Sequence, residues 1–350
     1  MKITFNLLCI CLALASVFQL ILLESSKARA NESVVTKYDN WLDKKRNRQI
    51  PVKYYVPVQS DKFKAPFPVV IFSHGLGGSR EAAVYLGEYL SKNGYVGIFI
   101  QHPGSDESFW RPESKNEITT FDRNKILDKF KKQLANPVHA LNRANDVHFA
   151  VDMLELLNKT DNVLKGKLDL DKIAIAGHSY GSWTALTASG QRMVTPFGKE
   201  VSSIEPRIKA AVYLSPTYPR KKVDPKIVYG KIQIPGLHFT GTKDKSPLDT
   251  GEAEDRRTAF DNISKSDQYL VILDNADHMV FGGRARNRQE PSDKKYQEIV
   301  EETTLNFLDA YLKKKNDAKI WLDKKAFAYI KPYGLYQAKH QGSLQVLPIF

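Results

Sequence analysis

The sequence predicts an α/β fold, with a mostly parallel twisted sheet and helices on both faces. Three observations carry that expectation. Short apolar runs recur at Pro68 to Ser73, Tyr95 to Ile100 and Lys172 to Ala176, the mark of strands buried on both faces. Between them lie stretches with apolar residues at helical spacing, as at Val147, Val151, Leu154 and Leu157. The alternation itself, strand then helix, is the pattern of parallel strands joined by crossover helices.

The first thirty residues stand apart from the fold. Lys2 is followed by an apolar run from Ile3 to Leu23 and a polar stretch ending Ala28-Arg29-Ala30. That order predicts a secretory signal peptide over residues 1–30, cleaved after Ala30, and hence a secreted or periplasmic protein. An uncleaved membrane anchor is the alternative, because the apolar run is longer than a usual signal core. Both cysteines, Cys9 and Cys11, lie inside this segment. The mature chain would then use neither disulfides nor a catalytic thiol.

Residues 31–315 read as one domain, and 316–350 as a C-terminal extension packed on it or trailing from it. Ile50 to Val58 alternates toward β before the Pro68 to Ser73 strand. Ser79 is placed to cap a helix through Leu90, which Asn93-Gly94 closes. After the Tyr95 to Ile100 strand, Phe121 to Leu134 is amphipathic and Ala144 to Leu157 is helical. Ser182 to Ser189 begins a helix of small residues. Ala210 to Leu214, Ile234 to Thr240 and Tyr269 to Leu273 read as strands, and Tyr296 to Lys314 as a long helix.

The 350 residues carry 52 Lys and Arg against 39 Asp and Glu, a formal net charge of +13, with a pI of 9.4. Such a balance suggests weak association with anionic surfaces. The positives are scattered in short clusters, such as Arg220-Lys221-Lys222 and Lys313-Lys314-Lys315, as solvated faces and loops are. No zinc-finger spacing, RNA-binding aromatic motif or leucine heptad accompanies them, so nucleic acid is not an expected partner. No cofactor or metal is expected.

Gly177-His178-Ser179-Tyr180-Gly181 is a G-x-S-x-G pentapeptide. It follows the strand Ile173-Ala174-Ile175-Ala176 and precedes a helix, the strand–turn–helix setting in which a sharp turn lifts a serine hydroxyl out of the backbone. Glycines on either side let strand and helix pass closely. Ser179 is therefore the candidate nucleophile. It needs a base, and the base needs an orienting carboxylate. Of eight histidines, His278 follows the last expected strand of the domain, whereas His238 lies inside an apolar strand and reads as a core residue. The candidate acid is Asp244, just past the strand Gly236-Leu237-His238-Phe239-Thr240. Asp249, Asp274 and Asp277 compete with it. Two backbone N–H donors are wanted for a tetrahedral oxyanion. Tyr180 is one candidate and Leu76, in His74-Gly75-Leu76-Gly77-Gly78, is the other, with Gly75 its near alternative. That glycine loop lacks the Lys-Ser/Thr ending of a nucleotide-binding loop.

Together with Gln101-His102-Pro103-Gly104-Ser105, Thr240-Gly241-Thr242-Lys243-Asp244 and His278-Met279-Val280-Phe281-Gly282-Gly283, these motifs resemble the α/β-hydrolase superfamily. The resemblance is to its predicted dienelactone-hydrolase-like branch, which is similar to the bacterial relatives of the group II platelet-activating-factor acetylhydrolases and, more distantly, to cutinase-like enzymes. It spans about Pro51 to Leu312. Dienelactone hydrolases proper use cysteine where this chain has Ser179. The acetylhydrolases place their acid one strand earlier, where this chain reads Leu214-Ser215-Pro216 with no carboxylate. That departure favours Asp244 and a general esterase.

The resemblance implies an exported serine carboxylic-ester hydrolase acting through an acyl-enzyme on a small-molecule or lipid ester. A peptidase or amidase on the same fold, or a non-catalytic hydrolase-fold binding protein, are the rival expectations. Gln101 to Asp106 reads as a structural turn or as part of an acyl pocket. Arg284, Arg286 and Arg288 read as a solvated loop or a grip on an anionic substrate group.

Overall fold

A computed structural model describes residues 34–61, 63–111, 123–194, 200–219, 223–245, 248, 251–283 and 290–341. The expected signal peptide, Asp249, and Arg284, Arg286 and Arg288 lie outside the described residues.

Nine strands form one sheet: β1 (Val34–Asp43), β2 (Arg48–Pro57), β3 (Phe67–Ser73), β4 (Val96–Ile100), β5 (Leu168–His178), β8 (Ile208–Leu214), β9 (Gly236–Lys243), β10 (Gln268–Asp277) and β11 (Gly334–Lys339). Two further strands among the described residues, β6 (Arg192–Val194) and β7 (Glu200–Ser202), pair with each other. The sheet order is β1-β2-β4-β3-β5-β8-β9-β10-β11. From β4 through β10 every neighbouring pair is parallel, while β1, β2 and β11 join antiparallel at the two edges.

Every residue of β3 and β4 is buried, as the continuous apolar runs require of strands covered on both sides. Five helices matter for the site: α1 (Val84–Lys92), α2 (Arg123–Ala135), α3 (Pro137–Thr160), α4 (Tyr180–Ala188) and α5 (Asp293–Tyr311). Leu86 and Leu90 of α1 and Ile299 and Phe307 of α5 pack on one face of the sheet with Val70, Phe72 and Val212. Val147, Val151 and Leu154 of α3 cover the other face with Val69, Ile71 and Ile175.

Two helices differ from the sequence expectation. The first starts at Val84, not at Ser79, because Ala83 takes a left-handed φ of 50° and its N–H is held by the Gly282 carbonyl at 2.7 Å. Helix α3 begins at Pro137, ahead of the expected Ala144, with Pro137 in its first turn and the Asn136 side chain accepting from Val138 N–H. Proline at that position loses no helical hydrogen bond. The antiparallel edge strands β1 and β11 had no counterpart in the sequence expectation.

Candidate active site

Ser179 sits between β5 and α4 with φ 56° and ψ −117°, a conformation that costs a non-glycine residue on the order of 1–3 kcal/mol. What holds it there is close passage of backbone. A Cβ at Gly181 would overlap the Ser73 carbonyl, and one at Gly177 would overlap the Gly181 carbonyl. The Ser179 N–H donates to Leu214 O at 2.9 Å. As the residue preceding α4, Ser179 could have capped the helix with its side chain, but it makes no cap hydrogen bond. Its Oγ–H instead faces His278 Nε2 at 2.9 Å.

His278 arrives from an irregular strand end. The pairing of β9 with β10 shifts register between Leu273 and Asp277, Asn275 takes φ 61°, and its N–H donates to Thr242 Oγ1 at 2.7 Å. His278 Nδ1–H then donates to Asp244 Oδ1 at 2.7 Å. Asp244 is fully buried and closes a turn with its N–H on Gly241 O. Thr240 Oγ1–H donates to its Oδ2 at 2.9 Å, and Arg256 Nε lies 2.8 Å from Oδ1. Burial alone would raise the Asp244 pKa, but the His278 hydrogen bond and charge, aided by Arg256, bring it down to about 2. Asp244 is thus a carboxylate at neutral pH. Of its competitors, Asp277 accepts from Met279 N–H at 2.9 Å, and Asp274 is exposed.

The N–H groups of Leu76 and Tyr180 donate to no acceptor among the described residues. By contrast, the neighbouring Gly77 and Gly78 N–H groups are taken by Ser105 O and Gly75 O. The loop carrying Leu76 is backed by aromatic rings: Trp110 Nε1–H donates to Gly77 O at 2.7 Å, and a Cβ at Gly77 would come 2.6 Å from Phe130 of α2.

Several residues around this constellation had no assigned role in the sequence reading. His178 is buried, and burial together with the His278 charge lowers its pKa to about 3. The turn Gln101 to Asp106 contributes buried His102, whose Nδ1–H donates to Asp146 Oδ2 at 2.9 Å. Arg143 and Asp146 lie on the buried stripe of α3 with Val147 and Val151. Charged residues in phase with the apolar ones were the available signal, since a solvated helix face puts its charges opposite. His238 is a core residue, donating from Nε2 to Gln268 Oε1 at 2.8 Å. No group of His, Cys, Asp and Glu among the described residues could hold a metal.

A family model described as platelet-activating factor acetylhydrolase, isoform II, matches residues 46–203. With the parallel sheet and the serine at the turn after β5, that match decides the fold family. The chain has the α/β-hydrolase fold. Similar proteins named platelet-activating factor acetylhydrolase include one from Canis lupus familiaris, 29% identical over 143 residues, or 35% of this chain and 32% of the relative. One from Cavia porcellus is 26% identical over 156 residues, 39% of this chain and 34% of the relative. The Bos taurus protein is 29% identical over 141 residues, 34% and 31% respectively. The matched part thus spans about a third of each relative's length. The family match contains Leu76, Ser179 and Tyr180 and ends before Asp244 and His278.

Proposed function

We propose that this α/β-hydrolase is an exported serine carboxylic-ester hydrolase, with Ser179, His278 and Asp244 as its triad. The observation that carries the reading is the continuous chain from Ser179 Oγ to His278 Nε2 at 2.9 Å and from His278 Nδ1 to Asp244 Oδ1 at 2.7 Å. With Nδ1 protonated against an ionised carboxylate, Nε2 is the free base that the serine needs.

Ser179 Oγ attacks the ester carbonyl as His278 Nε2 takes its proton, and Asp244 stabilises the imidazolium. The negative oxygen of the tetrahedral intermediate accepts from Leu76 and Tyr180 N–H. Collapse breaks the bond to the alcohol, which leaves with the proton from His278. Water then attacks the acyl-enzyme by the same sequence, releasing the acid and free Ser179.

The relatives' names favour acetyl and other short acyl groups on a lipid or small ester. Trp110 and Phe130 stand against the oxyanion loop, where bulky rings would shorten the space for an acyl chain. The N-terminal pattern of basic start, apolar run and Ala28-Arg29-Ala30 supports export. No helix among the described residues is long and apolar enough to cross a membrane.

The test is a chain-length series of nitrophenyl esters, with fluorophosphonate labelling of the purified protein and of Ser179→Ala. Labelling at Ser179, loss of label and esterase activity in Ser179→Ala, and fastest turnover of acetate or butyrate are expected. An active Ser179→Ala would overturn the nucleophile, and faster cleavage of long acyl chains the short-acyl reading.

A further inference from the structure

Arg143 is a buried cation that hydrogen-bonds no carboxylate among the described residues. Its side chain is fully enclosed, and burial lowers its pKa to about 10, which still leaves it charged at neutral pH. Enclosing such a charge without an ion-pair partner is destabilising, so its other contacts are informative. They converge on the loop after β3. Nη1 donates to His74 O at 2.7 Å, Nη2 to Gly75 O at 3.4 Å and to Ser105 O at 3.3 Å, and Nε to Ser105 Oγ at 2.8 Å. The guanidinium also lies 4.4 Å from the centroid of the Tyr180 ring. One side chain therefore holds the carbonyl end of the peptide that carries the Leu76 N–H and packs on the ring of Tyr180.

The Gly75 carbonyl is the other end of the peptide unit that carries the Leu76 N–H. It accepts from His74 Nδ1–H at 2.6 Å, from Gly78 N–H at 3.1 Å and from Arg143. Hydrogen bonds in series polarise one another, so a peptide oxygen loaded in this way makes its own N–H a stronger donor.

The His74 proton has a defined place. Nε2 accepts from His102 N–H at 2.9 Å, so the proton sits on Nδ1, beside Gly75. His102 is fixed in turn, since Nδ1–H is on Asp146 and Nε2 accepts from Ser73 Oγ–H at 2.9 Å. Ser73, His102 and Asp146 repeat the order of groups at Ser179, but all three are fully buried, so this second set braces the loop and is closed to substrate.

We propose that His74 and Arg143 are positioning residues that orient and polarise the Gly75–Leu76 peptide for the developing oxyanion. This rests on Ser179 being the nucleophile and on Leu76 N–H lining the oxyanion hole.

The experiment compares the full protein with His74→Leu, which removes the donor, His74→Asn, which places an amide N–H near the position of Nδ1, and Arg143→Lys. Loss of a whole oxyanion donor slows an enzyme about 10²–10³-fold. Loss of its alignment should slow kcat on nitrophenyl acetate about tenfold or more in His74→Leu and Arg143→Lys, with KM within about threefold. Fluorophosphonate labelling should slow in parallel, and His74→Asn should recover most of that rate. Losses confined to KM or to melting temperature, or a His74→Asn no faster than His74→Leu, would overturn the proposal. Should His74→Leu fail to fold, the other two decide: a fast His74→Asn with a slow Arg143→Lys supports it, and any other pairing overturns it. Ser179→Ala runs alongside. An active Ser179→Ala removes the nucleophile and this proposal with it, whereas a labelled Ser179 with unaffected variants removes this proposal alone.

Discussion

The His178 ring lies against the His278 ring, with centroids 4.9 Å apart, and its Nε2–H donates to the His278 carbonyl oxygen at 2.8 Å. The residue before the candidate nucleophile thereby holds the backbone of the candidate base, 100 positions further along. Gly282 leaves room for this, since a Cβ there would come 2.6 Å from His178 Nδ1.

His178→Phe keeps a ring in that place and removes the donor. Losing a hydrogen bond of about 1–1.5 kcal/mol should let His278 drift and reduce kcat about tenfold, with KM little changed. Steady-state kinetics on a nitrophenyl ester check this, and an unaltered kcat would mean that ring packing alone suffices.

Asp244→Asn should reduce kcat about 10⁴-fold, because an amide no longer fixes the His278 proton on Nδ1. Arg256→Gln should act differently. It leaves the buried Asp244 carboxylate without its cation, and removing one partner of such a pair costs about 3–5 kcal/mol. Asp244→Asn likewise leaves Arg256 buried without its anion, so urea unfolding should show a stability loss in both variants, whereas the loss of about 10⁴-fold in kcat is expected only for Asp244→Asn.

Gly181→Ala should abolish activity, because its Cβ would overlap the Ser73 carbonyl and strand and helix would have to separate at Ser179. Gly166→Ala is the contrast. At φ 68° nothing lies within 4 Å of a Cβ there, so backbone strain of about 1–2 kcal/mol is all it should cost. Melting temperature and esterase rate should fall together in the first and only the melting temperature in the second.

Stability should decline as pH falls below about 6.5. Burial lowers the pKa of His102 to about 4, His178 to about 3, His238 to about 4 and His74 well below its ordinary value. The unfolded chain takes up these protons from about pH 6.5 downward while the folded chain stays neutral, so acid favours unfolding. Each histidine adds up to about 1.4 kcal/mol per pH unit. Urea unfolding between pH 7 and 4 measures the slope. His238→Gln keeps a donor toward Gln268 and removes one titrating group, so it should flatten the slope by one histidine's share.

The core strands and the three triad candidates were legible because each rests on a local signal. Continuous apolar runs mark β3, β4 and β5, a pentapeptide marks Ser179, and strand ends mark Asp244 and His278. Arg143, Arg256 and the set around His102 were not legible. Their roles depend on contacts 12 to 70 residues apart in sequence, and a lone arginine carries no mark of the carbonyls it will meet. Strand β1 was missed for another reason: its burial alternates weakly, with most residues exposed or half-exposed, so no apolar run announces it. The helix expected from Ser79 failed at Ala83, whose left-handed φ is imposed by Gly282, a residue almost two hundred positions away.

Strand β11 pairs antiparallel with β10 from Gln268 to Leu273, on the side of β10 away from β9. Without it, β10 would offer a row of open N–H and C=O groups to any extended chain that met it. The same strand delivers His278. A protease trimming the protein ahead of Gly334 would therefore do more than shorten it: the fragment would carry a sticky edge beside its candidate base, and self-association could silence the enzyme without touching Ser179.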